Sequence, residues 1–285
     1  MSMQAVTLGP AGTYSHRAAR AVADDVAFRE SVTSIVQAVA DGTFERGVVP
    51  IENSIEGSVT ESLDAVANSE VSVVQEIVTP IRHALLAQSA NFDVVASHSQ
   101  ALAQCRSYLE ENYPDAKLEA VASTARGVER ARADPTVAGI GHPDNASASH
   151  AEGSQTESDA PGDDLEIIAE DIQDQSSNAT RFLVIGPESA RSDAGGKSSL
   201  VVYPNANYPG LLLELLEAFA ERDINLSRIE SRPSGNRLGD YLFHIDADAG
   251  LYEERMQGAL EAVEAIAKNG WVRVLGSYDT RHVLY

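Results

Sequence analysis

The residues most suited to chemistry lie in one short segment, Asn178-Ala179-Thr180-Arg181-Phe182, which is followed by the apolar run Leu183–Gly186. A hydroxyl, a guanidinium and an aromatic ring stand next to one another where a polar loop becomes a buried strand. Functional groups at the edge of an element can be held rigidly and still reach a small ligand. The segment therefore predicts a polar ligand site at the start of a strand.

A glycine-rich turn, Gly9–Ser15, joins the first predicted strand to the first predicted helix. Its glycines let backbone N–H groups approach a ligand closely, and the helix N-terminus favours an anion. Thr13 and Ser15 add hydroxyl groups. The turn also fits a structural role in which Ser15 is the N-cap of the helix.

A second polar turn, Val49–Val59, ends another predicted strand and contains Glu52, Asn53 and Ser54. These consecutive polar groups could bind a polar ligand. Ser58 could instead cap the helix that follows.

A third turn, Ser97–Cys105, again leads from a strand into a helix. It would place Ser97 at the mouth of a site, and Gln104 lies on the helix that follows. His98 has no companion at metal-ligand spacing, and neither do the other histidines, so the sequence predicts no metal.

The elements that must position these groups alternate along residues 1–186, which predicts an α/β fold with mostly parallel strands. The predicted strands are Ala5–Leu8, Val48–Ile51, Val71–Val78, His83–Ala87, Val94–Ala96, Leu118–Val121, Val137–Ile140 and Phe182–Ile185. The predicted helices are Ser15–Val22, Ser34–Asp41, Val59–Ala67, Gln100–Asn112 and Thr124–Ala133.

Three further regions differ in character from this alternation. Gly141–Asp164 is rich in small and polar residues and is typical of a mobile surface loop, and Pro187–Lys197 is typical of a linker. Residues 198–285 show the order βαββαβ, which is the ferredoxin-like pattern.

Composition restricts the classes of function. The chain has 285 residues, 43% of them hydrophobic, which is enough for two domains with ordinary cores. No apolar run is long enough to span a bilayer, and the N-terminal residues show no signal-peptide pattern. The single cysteine, Cys105, excludes an intrachain disulfide and fits a small core residue. We expect a cytoplasmic protein with no membrane partner.

The net charge of −22 makes nucleic acid an improbable partner, because phosphates would be repelled over most of the surface. Only three of the 21 basic residues are lysines: Lys117, Lys197 and Lys268. An acidic surface with few lysines resembles proteins of salt-accumulating organisms, in which short screening lengths reduce self-repulsion. An acidic mesophilic protein is the alternative.

In chain order, the segments Gly9–Ser15, Val49–Val59, Ser97–Cys105 and Asn178–Phe182 resemble the signatures of the prephenate dehydratase family. Ile224–Pro233 resembles the signature of that family's regulatory ACT domain. The resemblance implies a catalytic domain at 1–186 with a two-lobed, periplasmic-binding-protein-like fold, followed by the ACT domain. Lobe one would comprise 1–78 and 171–186, lobe two 79–170, the linker 187–197 and the ACT domain 198–285.

The resemblance implies conversion of prephenate to phenylpyruvate with loss of water and carbon dioxide. Aromatisation drives this reaction, so no cofactor is expected. The family's essential threonine corresponds to Thr180, expected to donate a hydrogen bond to the leaving hydroxyl. The substrate-binding residues expected are Thr13, Glu52, Asn53, Ser54, Ser97, Gln104, Arg181 and Phe182. For Arg181 a structural ion pair is the alternative to binding a substrate carboxylate.

The ACT resemblance implies allosteric control by phenylalanine and a homodimer or homotetramer formed through these domains. The effector-binding residues expected are Gly210, Leu211, Leu212, Asn225, Leu226, Glu230, Ser231, Arg232 and Pro233. Leu212, or Leu211 in a shifted register, departs from the family's small-residue turn. Two other functions remain open at this point: arogenate dehydratase, and an amino-acid sensor without catalytic activity.

Overall fold

A computed structural model describes residues 3–147, 164–192 and 194–283 of the chain. The loop expected at Gly141–Asp164 falls mostly on residues 148–163, which lie outside the described residues.

The described elements form three sheets with helices packed on them. The strands are β1 (Gln4–Leu8), β2 (Asp25–Arg29), β3 (Arg46–Asn53), β4 (Gly57–Ser58), β5 (Val71–Pro80), β6 (Ala84–Ala87), β7 (Val94–His98), β8 (Lys117–Val121), β9 (Val137–Gly141), β10 (Glu166–Ala169), β11 (Ala179–Pro187), β12 (Lys197–Tyr203), β13 (Leu226–Pro233), β14 (Tyr241–Ala247), β15 (Trp271–Tyr278) and β16 (Thr280–His282). The helices are α1 (Tyr14–Arg20), α2 (Val32–Ala40), α3 (Thr60–Ala67), α4 (Ser99–Gln104), α5 (Arg106–Asn112), α6 (Thr124–Ala133), α7 (Leu211–Ala220) and α8 (Glu254–Ile266). None of these helices is long and apolar enough to cross a membrane.

Lobe one is built on a seven-stranded sheet with the order β16-β5-β11-β3-β1-β2 and with β4 beside β3. Strand β1 runs parallel to β2 and β3, but β11 runs antiparallel to both of its neighbours, β3 and β5. Because β5 is also antiparallel to β11 and β16 is parallel to β5, five of the seven strands run in one direction, which confirms the expectation of mostly parallel strands. Strand β11 runs against them because it returns from lobe two and enters the sheet from the opposite end.

Strand β11 is buried along most of its length, and successive side chains pack on opposite faces of the sheet. Phe182 and Val184 pack in a cluster with α1, whereas Leu183 and Ile185 pack on the other face of the sheet. This alternation is the period-two pattern that a strand imposes on its side chains.

Lobe two contains a five-stranded sheet with the order β10-β6-β9-β7-β8, flanked by α4, α5 and α6. The single helix expected over Gln100–Asn112 is in fact two short helices, which meet at Cys105. The thiol of Cys105 is buried in the core of this lobe, and burial raises its pKa to about 12.

The C-terminal unit confirms the predicted βαββαβ order, with the sheet order β13-β14-β12-β15. Helices α7 and α8 cover one face, and the other face packs on lobe one through Val201, Leu275 and Tyr278. The approach is close, because a Cβ atom at Gly276 would lie 2.1 Å from the carbonyl oxygen of Val73 in β5.

The last described strand lies within the range 198–285 expected for the ACT domain but does not belong to the ACT sheet. Strand β16 leaves the ACT sheet and pairs in parallel with β5 of lobe one, with Thr280 opposite Glu76. It thereby covers an edge of the catalytic sheet, which would otherwise present unpaired backbone groups. Strand β11 extends to Pro187 and β12 begins at Lys197, so the first and last residues of the expected linker, 187–197, belong to strands.

Candidate active site

A cleft of about 450 Å³ lies between the two lobes. It is lined by Leu8, Gly9, Thr13, Tyr14, Ser15, Pro50, Asn53, Glu56, Gly57, Ser58, Val59, Ile81, His83, His98, Gln100, Ala101, Gln104, Ala122, Ser123, Thr124, Thr180 and Phe182. Five of the residues predicted for the catalytic site lie here: Thr13, Asn53, Gln104, Thr180 and Phe182.

The side-chain amide of Asn53 has an orientation that the backbone fixes. Its Oδ1 accepts hydrogen bonds from the N–H groups of Ile55 (2.9 Å) and Glu56 (3.2 Å), which can only donate. Its Nδ2 is therefore a donor on the opposite side, and it reaches Oδ1 of Asn178 and Oγ1 of Thr180, each at 3.0 Å. Both hydrogens of the amide are used by these two contacts.

This arrangement determines what Thr180 can do. Its oxygen accepts from Asn53, and no described residue accepts a hydrogen bond from its hydroxyl. A threonine hydroxyl has one hydrogen to donate. Because Thr180 lines the cleft, this hydrogen is available to a ligand there.

The same hydrogen-bond chain continues into lobe two. Asn178 donates from Nδ2 to Oε1 of Gln104 at 2.9 Å, and Nε2 of His83 lies 3.0 Å from that oxygen. The amide oxygen of Gln104 carries no hydrogen and can only accept, so His83 must carry its hydrogen on Nε2. The hydroxyl of Tyr14 lies 3.4 Å from the remaining ring nitrogen, Nδ1.

Sequence reasoning missed Tyr14, His83 and Asn178 as members of the site. His83 was expected only as the first residue of a strand, and its burial and partners follow from the packing of the two lobes. Asn178 offered a clearer signal, since it stands two residues before Thr180 in the segment that first indicated a site.

Two predicted serines do not line the cleft and have structural roles. Ser97 is completely buried and donates to the carbonyl oxygen of Ile140 at 2.8 Å. Ser54 accepts from the backbone N–H of Ala179 at 3.0 Å and donates to the carbonyl of Ser177 at 3.2 Å, which fixes the start of β11.

Arg181 and Glu52, which were expected to bind substrate, are not among the residues that line the cleft. The guanidinium of Arg181 lies on the opposite face of β11 from Thr180, and its Nη1 is 3.3 Å from Oε2 of Glu52. It contacts Glu76 and Asp246 on the same face. Arg181 thus makes the ion pairs that its structural alternative expects.

The helix caps differ from those expected. Thr13, not Ser15, is the N-cap of α1: its hydroxyl accepts from the N–H of His16 and donates to the carbonyl of Pro10. Ser58 makes no capping hydrogen bond, because α3 begins after Val59, and Ser58 instead lines the cleft.

The described lining of the cleft contains no lysine or arginine, and Glu56 is its one carboxylate. A ligand with negative charge would therefore be held there by hydroxyl groups, amides and backbone N–H groups. Among the described residues, no group of three or more His, Cys, Asp or Glu side chains is arranged to hold a metal ion.

The expected effector residues lie in three segments of the C-terminal unit: the start of α7, the residue before β13, and β13 itself. Gly210 is the N-cap of α7, with a φ of 97° that favours glycine, and it is followed by buried Leu211 and exposed Leu212. Asn225 precedes β13 and donates to Asp248.

The remaining effector residues lie at the start and toward the end of β13, which is an edge strand. Leu226 packs against the core of the C-terminal unit. Ser231 and Pro233 are exposed, whereas Glu230 and Arg232 lie toward lobe one, where Arg232 pairs with Asp64 at 2.9 Å.

The fold and the cleft define a two-lobed α/β ligand-binding unit joined to an ACT-type domain. The family model described as Prephenate dehydratase matches residues 5–190, and the model described as ACT domain matches residues 206–265. The chain belongs to the prephenate dehydratase family.

Individual relatives resemble the chain over nearly its whole length. A prephenate dehydratase of Lactococcus lactis subsp. lactis (strain IL1403) is 37% identical over 285 residues, which cover 97% of each chain. A solved structure of prephenate dehydratase from Arthrobacter aurescens in complex with L-Phe is 34% identical and gives a TM-score of 0.83, covering 97% of this chain and 90% of that one. The prephenate dehydratase from Staphylococcus aureus subsp. aureus Mu50 is 28% identical, with a TM-score of 0.76 and coverage of 97% and 100%.

The hydrogen-bond chain predicts the protonation state of His83. Burial lowers the pKa of His83, and the hydrogen bond to Gln104 opposes this without reversing it. We expect long-range ¹H–¹⁵N NMR to show a predominantly neutral imidazole with its hydrogen on Nε2 at pH ~6.5, the usual pKa at which an unperturbed histidine is half protonated. The signal is assigned by its loss in His83→Gln, and the urea-unfolded chain is the control. Titration of folded His83 near pH 6.5 would contradict the prediction.

Proposed function

We propose that the cleft catalyses the dehydration and decarboxylation of prephenate to phenylpyruvate. The chain is then a carbon–oxygen lyase, as its family membership implies. The observation that carries the proposal is the geometry of Thr180: its oxygen is held by Asn53, and its hydrogen is free to be donated into the cleft.

The reaction needs one well-placed donor. The ring carboxylate leaves as carbon dioxide, and the electron pair of the broken C–C bond completes the aromatic ring while the C–O bond breaks. The departing hydroxyl takes up one proton and leaves as water. A donor aimed at this oxygen stabilises the charge that develops on it. A neutral threonine is a weak acid, so Thr180 acts as a positioned donor that relays the proton rather than as its ultimate source.

The two carboxylates of prephenate are bound by neutral groups. Gln104 is suited to this role, because Oε1 is occupied by Asn178 and His83 and its amide N–H groups remain. Ser58 and the N-terminus of α6 at Thr124 also lie at the cleft, and a helix N-terminus favours an anion.

Arogenate is a second candidate substrate, and the observation that favours it is Glu56. Both compounds carry two carboxylates, but only arogenate has an amino group in place of the keto group of prephenate, and the carboxylate of Glu56 would pair with that amino group. The ratio of kcat/KM for the two compounds distinguishes the two activities.

Replacing Thr180 with alanine tests the catalytic proposal. We expect Thr180→Ala to lower kcat by roughly 10²–10⁴-fold with the fold retained, because the donor to the leaving oxygen is lost. Thr180→Ser should keep most of the activity, since it keeps the hydroxyl. Phenylpyruvate formation is followed by absorbance.

Thr79 provides a matched control for this substitution. It lies opposite Thr180 in the pairing of β11 with β5, and its buried hydroxyl has no hydrogen-bond partner among the described residues. Thr79→Val should leave kcat unchanged. Near-normal turnover in Thr180→Ala would exclude Thr180 as the donor, and no turnover of prephenate or arogenate by the unmodified chain would favour a sensor without catalytic activity.

The C-terminal domain is proposed to bind phenylalanine between two copies of the chain. The A. aurescens relative has been solved with L-Phe. Among the described strands, β13 is an edge strand that pairs only with β14, and Ile229 on it is 41% exposed. Exposed Leu212 and Leu213 on α7 add apolar surface. An edge strand with apolar surface beside it is suited to pairing with a second copy, as a homodimer or within a homotetramer.

A charge on this edge tests both parts of the proposal. Ile229→Asp should dissociate the assembly in sedimentation experiments and weaken L-Phe binding at least about tenfold in calorimetry, since a buried carboxylate would lack a partner. Tyr252→Asp, at a side chain that is 57% exposed on the loop before α8, is the control and should change neither. Full L-Phe binding by a monomeric Ile229→Asp variant would contradict a site between subunits.

Adaptation to high salt is a further part of the proposal, together with a cytoplasmic location. The acidic excess of 43 Asp and Glu over 21 Lys and Arg lies largely outside the buried charge clusters. Lys197, one of three lysines, is used within such a cluster, where it pairs with Glu76.

Salt should therefore stabilise the fold by screening surface repulsion. We expect the melting temperature to rise from about 0.1 M to about 1 M KCl, where the Debye length falls from ~10 to ~3 Å. Sucrose at equal osmotic strength, which does not screen charge, is the control and should give a smaller rise. A melting temperature independent of KCl would favour an acidic mesophilic protein.

A further inference from the structure

A buried cluster of charges lies directly behind the catalytic end of β11. The guanidinium of Arg181, which is 12% exposed, contacts three carboxylates. Its Nε is 3.1 Å from Oε2 of Glu76, its Nη1 is 3.3 Å from Glu52, and its Nη2 pairs with Asp246. Glu76 and Asp246 are almost completely buried, with exposures of 2% and 1%.

Asp246 belongs to the ACT domain and is held from several sides. Nε of Arg228 lies 2.9 Å from its Oδ2, and the hydroxyl of Ser199 donates to its Oδ1. Burial by itself would raise the pKa of Asp246, but Arg228 and Arg181 hold that pKa well below its usual range. The carboxylate is therefore ionised and links an arginine of its own domain to an arginine of the catalytic strand.

The position of Arg181 in the sheet connects this cluster to the reaction. In the pairing of β11 with β3, Thr180 lies opposite Asn53 and Arg181 lies opposite Glu52. The hydrogen bond from Asn53 to Thr180 and the ion pair between Arg181 and Glu52 thus join the same two strands at adjacent positions. A displacement of the guanidinium would move the backbone on which the Thr180 hydroxyl depends.

On the ACT side, the cluster reaches the strand expected to bind the effector. Arg228 and Glu230 lie on the same face of β13, with Nη1 and Oε2 3.8 Å apart. In the pairing of β13 with β14, Arg228 lies opposite Asp246. Any ligand that shifts β13 relative to β14 therefore changes how Asp246 is held.

We propose that Asp246 is a positioning residue for the dehydration, contributed by the ACT domain, and that it transmits effector binding to Thr180 through Arg181. The inference rests on the proposed role of Thr180. A shared element whose arrangement both sites influence is what allosteric coupling requires.

The test compares Asp246→Asn with a matched interdomain variant. Asn keeps the size of the side chain but removes its charge, so Arg181 loses its partner from the ACT domain. We expect kcat to fall roughly 10–100-fold with little change in KM, because the position of the donor changes and the substrate-binding groups do not. The ratio of kcat with and without L-Phe should move toward one, while calorimetry on the full chain still detects L-Phe binding.

Arg273→Gln is the control. Arg273 in β15 also joins the domains, donating to the carbonyl of Ala67 at 2.6 Å, but it does not contact β11. It should leave kcat and the response to L-Phe unchanged. If Asp246→Asn does not fold, Arg181→Lys replaces it: it keeps the charge, loses the planar fork of N–H donors that spans the three carboxylates, and should give the same change in kcat.

A structural readout separates this inference from the proposed function. The ¹³C-methyl resonance of Thr180 should shift in Asp246→Asn and on addition of L-Phe, and should stay in place in Arg273→Gln. This holds even if the chain does not turn over prephenate, an outcome that would contradict only the proposed function. An unmoved Thr180 resonance with normal kcat in Asp246→Asn would overturn the coupling, as would equal effects of Asp246→Asn and Arg273→Gln.

Discussion

Strand β11 has two buried faces, and consecutive residues must use one each. Thr180 points toward the cleft, and Arg181 points toward the ACT domain. A shift of one residue in the pairing with β3 or β5 would exchange these two groups, leaving a charge in the cleft and a hydroxyl among carboxylates. Because removing an arginine from water is unfavourable unless it is paired, the partners of Arg181 hold the strand in register as well as holding the domains together.

The cleft depends on a second constraint, which is the direction of its hydrogen bonds. Amides and hydroxyls can often exchange donor and acceptor, but backbone N–H groups cannot. The N–H groups of Ile55 and Glu56 therefore set the amide of Asn53, and Asn53 sets Asn178 and Thr180. The neutral hydroxyl of Thr180 is suited to catalysis because its oxygen already accepts from Asn53, so it can act toward a ligand as a hydrogen-bond donor. A preorganised donor does not have to reorient during the reaction.

The sequence predicted the architecture and the composition of the cleft better than it predicted which way side chains face. Turn signals and periodicity located most strands and helices, and the βαββαβ order of the C-terminal unit is confirmed. Strands β2, β4, β10 and β16 were missed, because none of them has a long apolar run. The position of β16 in the catalytic sheet depends on contacts between residues about 200 positions apart, such as Thr280 and Glu76, and local patterns carry no information on these.

The assignments to substrate binding show the same limit. Thr180 and Arg181 are adjacent in one motif. Only the pairing of β11 with its neighbouring strands shows that their side chains lie on opposite faces of the sheet. Ser97 was placed at the mouth of a site because it ends a strand, yet its hydroxyl turns inward to the carbonyl of Ile140. His83 gave no signal in the sequence, since its role depends on Gln104 and Tyr14, which other parts of the chain bring to it.

The place of β16 has a consequence for how the molecule is made and dissected. Ribosomal synthesis delivers this strand after the strands and helices of the ACT domain, so the catalytic sheet acquires its outer edge only once those elements have been made. The first part of the chain therefore cannot complete its sheet during translation while the second part is still being made. For the same reason, a fragment that ends at residue 186 is not simply the catalytic domain without its regulator. Such a fragment also lacks β16 and therefore exposes the edge of β5. If the fragment were inactive, the loss of this sheet edge would explain the result as well as the loss of the effector site.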